Sequence, residues 1–392
     1  MDTYISKCVD KMKPSGIRAF FELVLGMDDV ISLGVGEPDF VTSWPVREAG
    51  IYSLEQGFTS YTSNKGLYKL RLGLNRFLKK NYGLDYSPDE EILITVGVSE
   101  GVDLALRAIM NPGDKVIIPA PSYVSYGPVT ELAGGIPVFI DTRKDNFRLT
   151  PSALEKALDK NTKALLLNYP VNPTGVSYSR KELDAIKKVA LKHKLLCITD
   201  EVYGALTYDF DHTPFATLPG AKEKTLYLDG FSKSYAMTGW RIGFACGPKE
   251  IIAAMTKIHQ YTIMCVSITS QMAACEALQT GHASVEEMKR EYRRRRELIV
   301  DGLNRIGLEC RKPQGAFYAF PSIRSTGMCS LDFCKKLLQE HKVAIVPGTA
   351  FGDELLDRVR ISYASSYEDL KEALARMEIF LKTISPGGKR GK

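Results

Sequence analysis

The sequence predicts an α/β fold: a large domain with a mostly parallel sheet sandwiched by helices, followed by a smaller α+β domain. Three observations carry this expectation. Short runs rich in Val, Ile and Leu alternate with amphipathic helical segments from about residue 91 to 246. The alternation stops near residue 284, where a long helix gives way to brief strands and two further helices. At 392 residues, the chain also exceeds what one core ordinarily serves, so two domains are expected.

Each element follows from its local pattern. "EILITV" (91–96) reads as a strand and "SEGVDLALRAIM" (99–110) as the helix after it. "DKVIIP" (114–119) is the next strand, followed by a helical stretch from Tyr123 and the strand "IPVFID". A helix from Pro151 leads to "TKALLLN" (162–168), and the helix "SRKELDAIKKVALKHK" (179–194) leads to "LLCITD" (195–200). Ser179 with Glu182 three residues on is a capping-box signature, since each side chain can satisfy a backbone N–H of the other residue. "KTLYLDG" and "RIGFACG" complete the series. After the long helix near 284–304 come the short strands "GAFYAFP" and "VRISYA", with helices near 330–340 and 366–383. Right-handed crossovers bring the strand C-terminal ends to one edge, where α/β proteins build their sites. The expected division is a large domain at 41–284 and a small one at 285–385. Residues 1–40 would pack with the small domain, and 386–392 would form a disordered tail.

The composition is that of a globular protein, 44% apolar and 25% charged, with a net charge of +6. A mild basic excess suits anionic small substrates and argues weakly for nucleic acid. The one basic cluster, "KREYRRRREL" (289–298), reads as the solvated face of the long helix, offset by Glu286, Glu287, Glu291 and Glu297. Eight cysteines form no CxxC and no regular framework, which fits reduced thiols in a cytoplasmic protein. The N-terminus lacks a signal-type apolar stretch, and no run is long enough for a membrane span. Five scattered histidines have no metal-ligand spacing, so no metal is expected.

Several expected strand ends carry polar groups, each with an ordinary structural reading of its own. Asp200 leaves an apolar strand directly, where a turn or capping aspartate is equally at home. Asn168 ends another strand, and Asn172-Pro173-Thr174-Gly175 behind it is a common turn with a candidate cis bond. Gly97, Val98 and Ser99 join a strand to a helix, where free N–H groups favour an anion, although a plain turn serves too. "LDGFSKSYAMTGWRIG" (228–243) adds Ser232, Lys233 and Arg241 on a further strand edge. Arginine suits bidentate phosphate contact, and burial lowers a lysine toward nucleophilic use. Together these groups match what pyridoxal phosphate requires: a Schiff-base lysine, a carboxylate for the ring nitrogen and phosphate donors.

"FSKSYAMTGWRIG" resembles the cofactor-lysine signature of class I/II pyridoxal-phosphate aminotransferases of fold type I. "SLGVGEPDF", "TSYTSNKGLYKLR", "NYPVNPTG", "DEVYG" and "VRISYA" are similar to that family's other landmarks, in its order, over about residues 30 to 365. The resemblance implies that Lys233 carries the cofactor as a Schiff base and moves the substrate proton. It implies that Asp200 keeps the ring nitrogen protonated, that Tyr203 and Asn172 bind the ring oxygen, and that Tyr123 stacks on the ring. Val98, Ser99, Ser232 and Arg241 would hold the phosphate, joined by Tyr61 from a second subunit of a homodimer. Arg360 would pair with the substrate carboxylate, helped by Asn172 and the Gly36 backbone. The G-x-G around Gly36 is no dinucleotide loop, because no G-x-G-x-x-G completes it.

The implied reaction is transfer of an amino group from an L-amino acid to a 2-oxo acid, with a C–S β-lyase on the same fold as the alternative. The resemblance is nearest to bacterial N-acetyl-diaminopimelate, aromatic and aspartate aminotransferase-like enzymes. Bacterial aspartate-type relatives carry a lysine where Ser99 aligns, and animal-type ones an arginine near Ser267; neither basic residue is present. Ile17 and Arg18 would lie in a segment that closes over the substrate, and Tyr261 and Phe351 are either pocket or core.

Overall fold

Branched apolar residues form the main sheet where the pattern expects strands. β1 (Ile31–Ser32) is short and peripheral. β2 (Ile92–Thr95), β3 (Lys115–Ala120), β4 (Ile136–Asp141), β5 (Thr162–Asn168), β6 (Leu196–Asp200), β7 (Thr225–Gly230) and β8 (Gly243–Cys246) form one seven-stranded sheet. Its order is β2-β8-β7-β6-β5-β3-β4. A computed structural model of the chain describes residues 4–14, 16–17 and 27–384; Arg18 and the expected tail at 386–392 lie outside the described residues. Both sheet faces are buried. Leu165 and Leu167 join one apolar layer with Ile117, Leu183 and Ile186, whereas Ala164 and Leu166 join the opposite layer with Val116, Val102 and Leu106. The helix Arg180–Lys192 is capped as expected: the Ser179 N–H donates to Glu182 Oε2 (2.7 Å) and the Glu182 N–H to Ser179 Oγ (3.4 Å).

One strand departs from the expected pattern of C-terminal ends on a common edge. β8 runs antiparallel to both of its neighbours, β7 and β2, so its start faces the edge where β5, β6 and β7 finish. In the connection from β7 to β8, residues 231–242, only Phe231–Ser234 are helical. That is too little helix to carry the chain back across the sheet for a parallel return.

The remaining strands are short. β9 (Tyr318–Ala319), β11 (Val346–Pro347) and β12 (Val359–Ser362) form an antiparallel sheet with β12 central, and β10 (Val343–Ala344) pairs in parallel with β1. The segment after β1 is held between these sheets: the Leu33 N–H donates to the Ala344 carbonyl (2.8 Å) and the Ser362 N–H to the Leu33 carbonyl (2.7 Å).

The basic cluster is a solvated face only in part: Arg290, Arg293 and Arg294 are exposed, but Arg295 and Arg296 are buried. Arg295 bonds both Asp39 carboxylate oxygens at 2.8 Å and takes Glu291 at 2.9 Å. Arg296, 1% exposed, grips Asp209 with two bonds of 2.7 and 2.8 Å and also donates to the Pro313 carbonyl at 2.7 Å. The helix His282–Arg305 is packed on more than one side, and planar guanidinium groups can be buried there because each meets a bidentate partner.

Candidate active site

Strand register assembles the site. Asn168 ends β5 and Asp200 ends β6, and the two are direct cross-strand partners. β7 ends at Gly230, which leads into the helical turn bearing Ser232 and Lys233 and pairs with Gly243, two residues after Arg241. β2 ends at Thr95, opposite the same Gly243, and the helix Gly97–Ile109 starts there with Val98 and Ser99 in its first turn. Glycine is required at two of these points. A Cβ on Gly243 would lie 2.8 Å from the Gly97 carbonyl carbon and the Val98 nitrogen, and Gly97 has φ +72° with the Arg241 guanidinium 2.9 Å from where its Cβ would be.

These elements surround a cavity of about 720 Å³. Its walls include Val98, Ser99, Ser232 and Arg241; Tyr123, Asp200, Tyr203 and Lys233; and Gly36, Asn172 and Arg360. Tyr61 is the expected residue that this chain does not bring there; its side chain is 82% exposed. Ile17 lines the cavity, Phe351 belongs to the apolar cluster behind it, and Tyr261 is exposed.

Lys233 Nζ donates to the Gly36 carbonyl at 2.7 Å. Burial pushes its amine down to about 8, the charges of Arg241 and Arg360 push the same way, and Glu37 opposes them. Asp200 is pushed up to about 6 by burial. The Tyr126 hydroxyl donating to Oδ2 (2.7 Å) and the Val202 N–H donating to Oδ1 (3.2 Å) counter that rise. The Asn168 amide donates to the Asp200 carbonyl (2.9 Å), and its Oδ1 accepts from the Asn172 N–H (3.1 Å). Asn172 Oδ1 in turn accepts from Arg360 (3.0 Å), so one hydrogen-bond chain runs from Asp200 to Arg360. The Asn172–Pro173 bond is cis.

Arg360 is 2% exposed. Its guanidinium donates to Asn172 and to the Gly34 carbonyl, both neutral, while Nε has no partner, and no described carboxylate pairs with it. Sequence reasoning missed Tyr126, Tyr318 and Gly34. Tyr318 and Gly34 sit in stretches already quoted and Tyr126 lies three residues after Tyr123, but a buried aromatic reads as core and a glycine as a turn.

The residues present fit pyridoxal phosphate. A helix start with free N–H groups, a serine hydroxyl and an arginine form an anion cradle. A buried carboxylate that resists ionisation calls for a cationic partner such as a protonated ring nitrogen. An amine lowered to about 8 is a nucleophile near neutral pH.

Comparison with known proteins agrees with this chemistry. Residues 28–377 match the family model described as Aminotransferase class I and II. The chain is 44% identical to an aspartate aminotransferase of Pyrococcus abyssi, over 96% of its own length and 98% of the relative's. It is 42% identical to aromatic-amino-acid aminotransferase 2 of Thermococcus litoralis, again over 96% and 98%. Aspartate aminotransferase from Thermus thermophilus with maleate superposes with a TM-score of 0.92 at 37% identity, covering 96% of this chain and 100% of that one.

Proposed function

The chain belongs to the class I and II aminotransferases, which work with pyridoxal phosphate, and on that footing we propose that it moves the amino group of an L-amino acid to a 2-oxo acid in two half-reactions through Lys233. Arg360 is the observation that carries this reading. A buried cation with only neutral partners is costly, and the α-carboxylate common to amino acids and 2-oxo acids offsets that cost. The relatives reported above are aminotransferases, and nothing in them favours the C–S β-lyase.

When bound, pyridoxal phosphate supplies a carbon that accepts the amino group and a ring that spreads the electron pair left at Cα. The chain's own residues do the rest. Ser232, Arg241 and the N–H groups of Val98 and Ser99 hold the phosphate. Asp200 holds a proton on the ring nitrogen, and Tyr126 keeps that carboxylate ionised and aimed. Tyr123 stacks on the ring and Tyr203 donates to its oxygen. Asn172 has committed Oδ1 to Arg360, which leaves its amide N–H groups to donate as well. Lys233 Nζ takes the proton from the donor's Cα. Arg360, with Asn172 and the Gly36 backbone, fixes the carboxylate so that the Cα–H bond is presented to that amine.

Ile17 and Val124 face the cavity with Phe147, Phe320 and Phe351 clustered behind them. Lys233, Arg241 and Arg360, the lining cations among the described residues, all have tasks already. An apolar or aromatic donor suits this wall better than aspartate. The test is a half-reaction. A panel of glutamate, aspartate, phenylalanine and N-acetyl-diaminopimelate is added without acceptor. A good donor should release one 2-oxo acid per site and stop until 2-oxoglutarate is supplied. Continued release of pyruvate from cystathionine, without that stop, would sink the transaminase reading.

We also infer a homodimer. Trp44, Ile51, Tyr52, Leu54 and Phe58 are exposed in the stretch that leads to the exposed Tyr61, a run of apolar surface that supports covering by a second copy. The protein should sediment at twice the chain mass, and Tyr61→Phe should weaken cofactor binding about tenfold without altering the fold. A monomer with full cofactor affinity would refute it. We infer that residues 41–284 form the cofactor-bearing unit and that the smaller one, after residue 284, is joined by the segment at β1, which the pairing of β1 with β10 supports; the helix Lys7–Lys11 instead touches the helix Tyr126–Leu132. Eight free cysteines support a cytoplasmic setting.

A further inference from the structure

Tyr318 has no part in the roles above, yet its hydroxyl sits at the junction of the site. Tyr318 and Tyr203 are 0% and 4% exposed, and their hydroxyls lie 2.8 Å apart. A Cβ on Gly36 would come within 2.7 Å of the Tyr318 hydroxyl, so glycine at that position leaves the hydroxyl its space. The Arg360 guanidinium stacks 4.6 Å from the centre of the Tyr318 ring. Register explains the arrangement. Tyr318 on β9 pairs with Ser362 on β12, and Arg360, two residues before Ser362, points to the same face. Diagonal neighbours of this kind are within reach of long side chains.

Two hydroxyls that share one contact divide into a donor and an acceptor. When Tyr203 is the donor, its proton is spent inside the protein and its oxygen offers the cavity only lone pairs. When Tyr318 is the donor, the Tyr203 oxygen stays held in position and its proton is free for an acceptor in the cavity. Burial pushes both phenols up. The Arg360 charge opposes that rise on both. Tyr318 is the phenol whose ring lies directly against the guanidinium, and a cation held there favours release of its hydroxyl proton, which makes it the natural donor of the pair.

We propose that Tyr318 is a positioning residue for the reaction: stacked beneath Arg360, it donates its hydroxyl proton to the Tyr203 oxygen and so directs the Tyr203 proton into the cavity toward the cofactor's ring oxygen. The inference rests on the role proposed above for Tyr203. Tyr318→Phe removes one oxygen and keeps the ring on which Arg360 stacks. In this variant the apoprotein should bind pyridoxal phosphate about 3- to 10-fold more weakly, read by quenching of protein fluorescence. The pH midpoint of the bound cofactor's absorbance should move in the same direction as in Tyr203→Phe. KM for the amino donor should change less than about twofold while kcat falls, because the packing of Arg360 is retained. In the double variant, Tyr318→Phe should add nothing to the loss caused by Tyr203→Phe. A chain with 3-fluorotyrosine at position 318, a stronger proton donor of nearly the same shape, should shift the midpoint the opposite way. Wild-type midpoint and affinity in Tyr318→Phe, or an equal cost with and without the Tyr203 hydroxyl, would overturn the inference alone. Wild-type behaviour of Tyr203→Phe would instead overturn the role of Tyr203 and take this inference with it.

Discussion

Replacement of Lys233 by alanine is expected to lower kcat by about 10⁴-fold or more and to abolish the visible band of the bound cofactor, because the amine is at once the covalent anchor and the proton carrier. A variant that kept both turnover and the band would end the central assignment. The wild-type pH dependence follows from the same residue. Burial pushes its amine down to about 8, with Arg241 and Arg360 adding to the effect and Glu37 opposing it. Capture of pyridoxal phosphate by the apoprotein should therefore accelerate through pH 8, well below the range of an exposed lysine. The stability linkage has a definite sign. Between about 8 and the ordinary value of 10.5 the unfolded chain holds the proton that the folded chain has lost, so the cost of burial fades as pH rises across that window. Below it the full cost applies, and the Lys233→Ala apoprotein should be more stable than wild type at pH 7 by on the order of 1–3 kcal/mol. Chemical denaturation of the two apoproteins measures this directly.

Arg360→Ala should reduce kcat/KM for amino acids by about 10²- to 10³-fold, the scale expected when one member of a buried charge pair is removed. Primary amines without a carboxylate provide the control, and their already low kcat/KM should barely change. Equal losses for both substrate types would show that Arg360 serves the fold and not the carboxylate. Arg360→Lys should recover only part of the loss, since an ammonium cannot make the planar, two-bond contact. Neither substitution removes a phosphate ligand, so any loss of cofactor affinity should be no larger than that of Tyr318→Phe, far below the loss in kcat/KM.

Local chemistry made much of this site legible in the sequence. Asp200, Asn172 and Lys233 stand at or just after expected strand ends, Arg360 came from the family resemblance, and Ser179 with Glu182 announced a helix start that the structure contains. The direction of β8 was not legible, because strand residues alternate identically whichever way the strand runs and only the pairing partner decides. The burial of Arg295 and Arg296 was hidden for a similar reason. Their partners Asp39 and Asp209 are 256 and 87 residues away in sequence, so the run of charge looked solvated. Tyr126 and Tyr318 were hidden by residue type: the ring packs like any core aromatic, and only the hydroxyl's destination separates a structural phenol from a functional one.

The reversal from β7 to β8 divides the labour of the site. Lys233 and Arg241 stand on the two arms of one tight return, whose spacing is set by Gly230 opposite Gly243. Arg360 hangs from β12 in a different sheet and reaches the others through Asn172 and the segment at Gly34 and Gly36. The proposed tether and phosphate anchor thus share one structural piece, and the proposed carboxylate grip is mounted on another. A tilt between the two sheets would therefore move Arg360 without changing the spacing of Lys233 and Arg241.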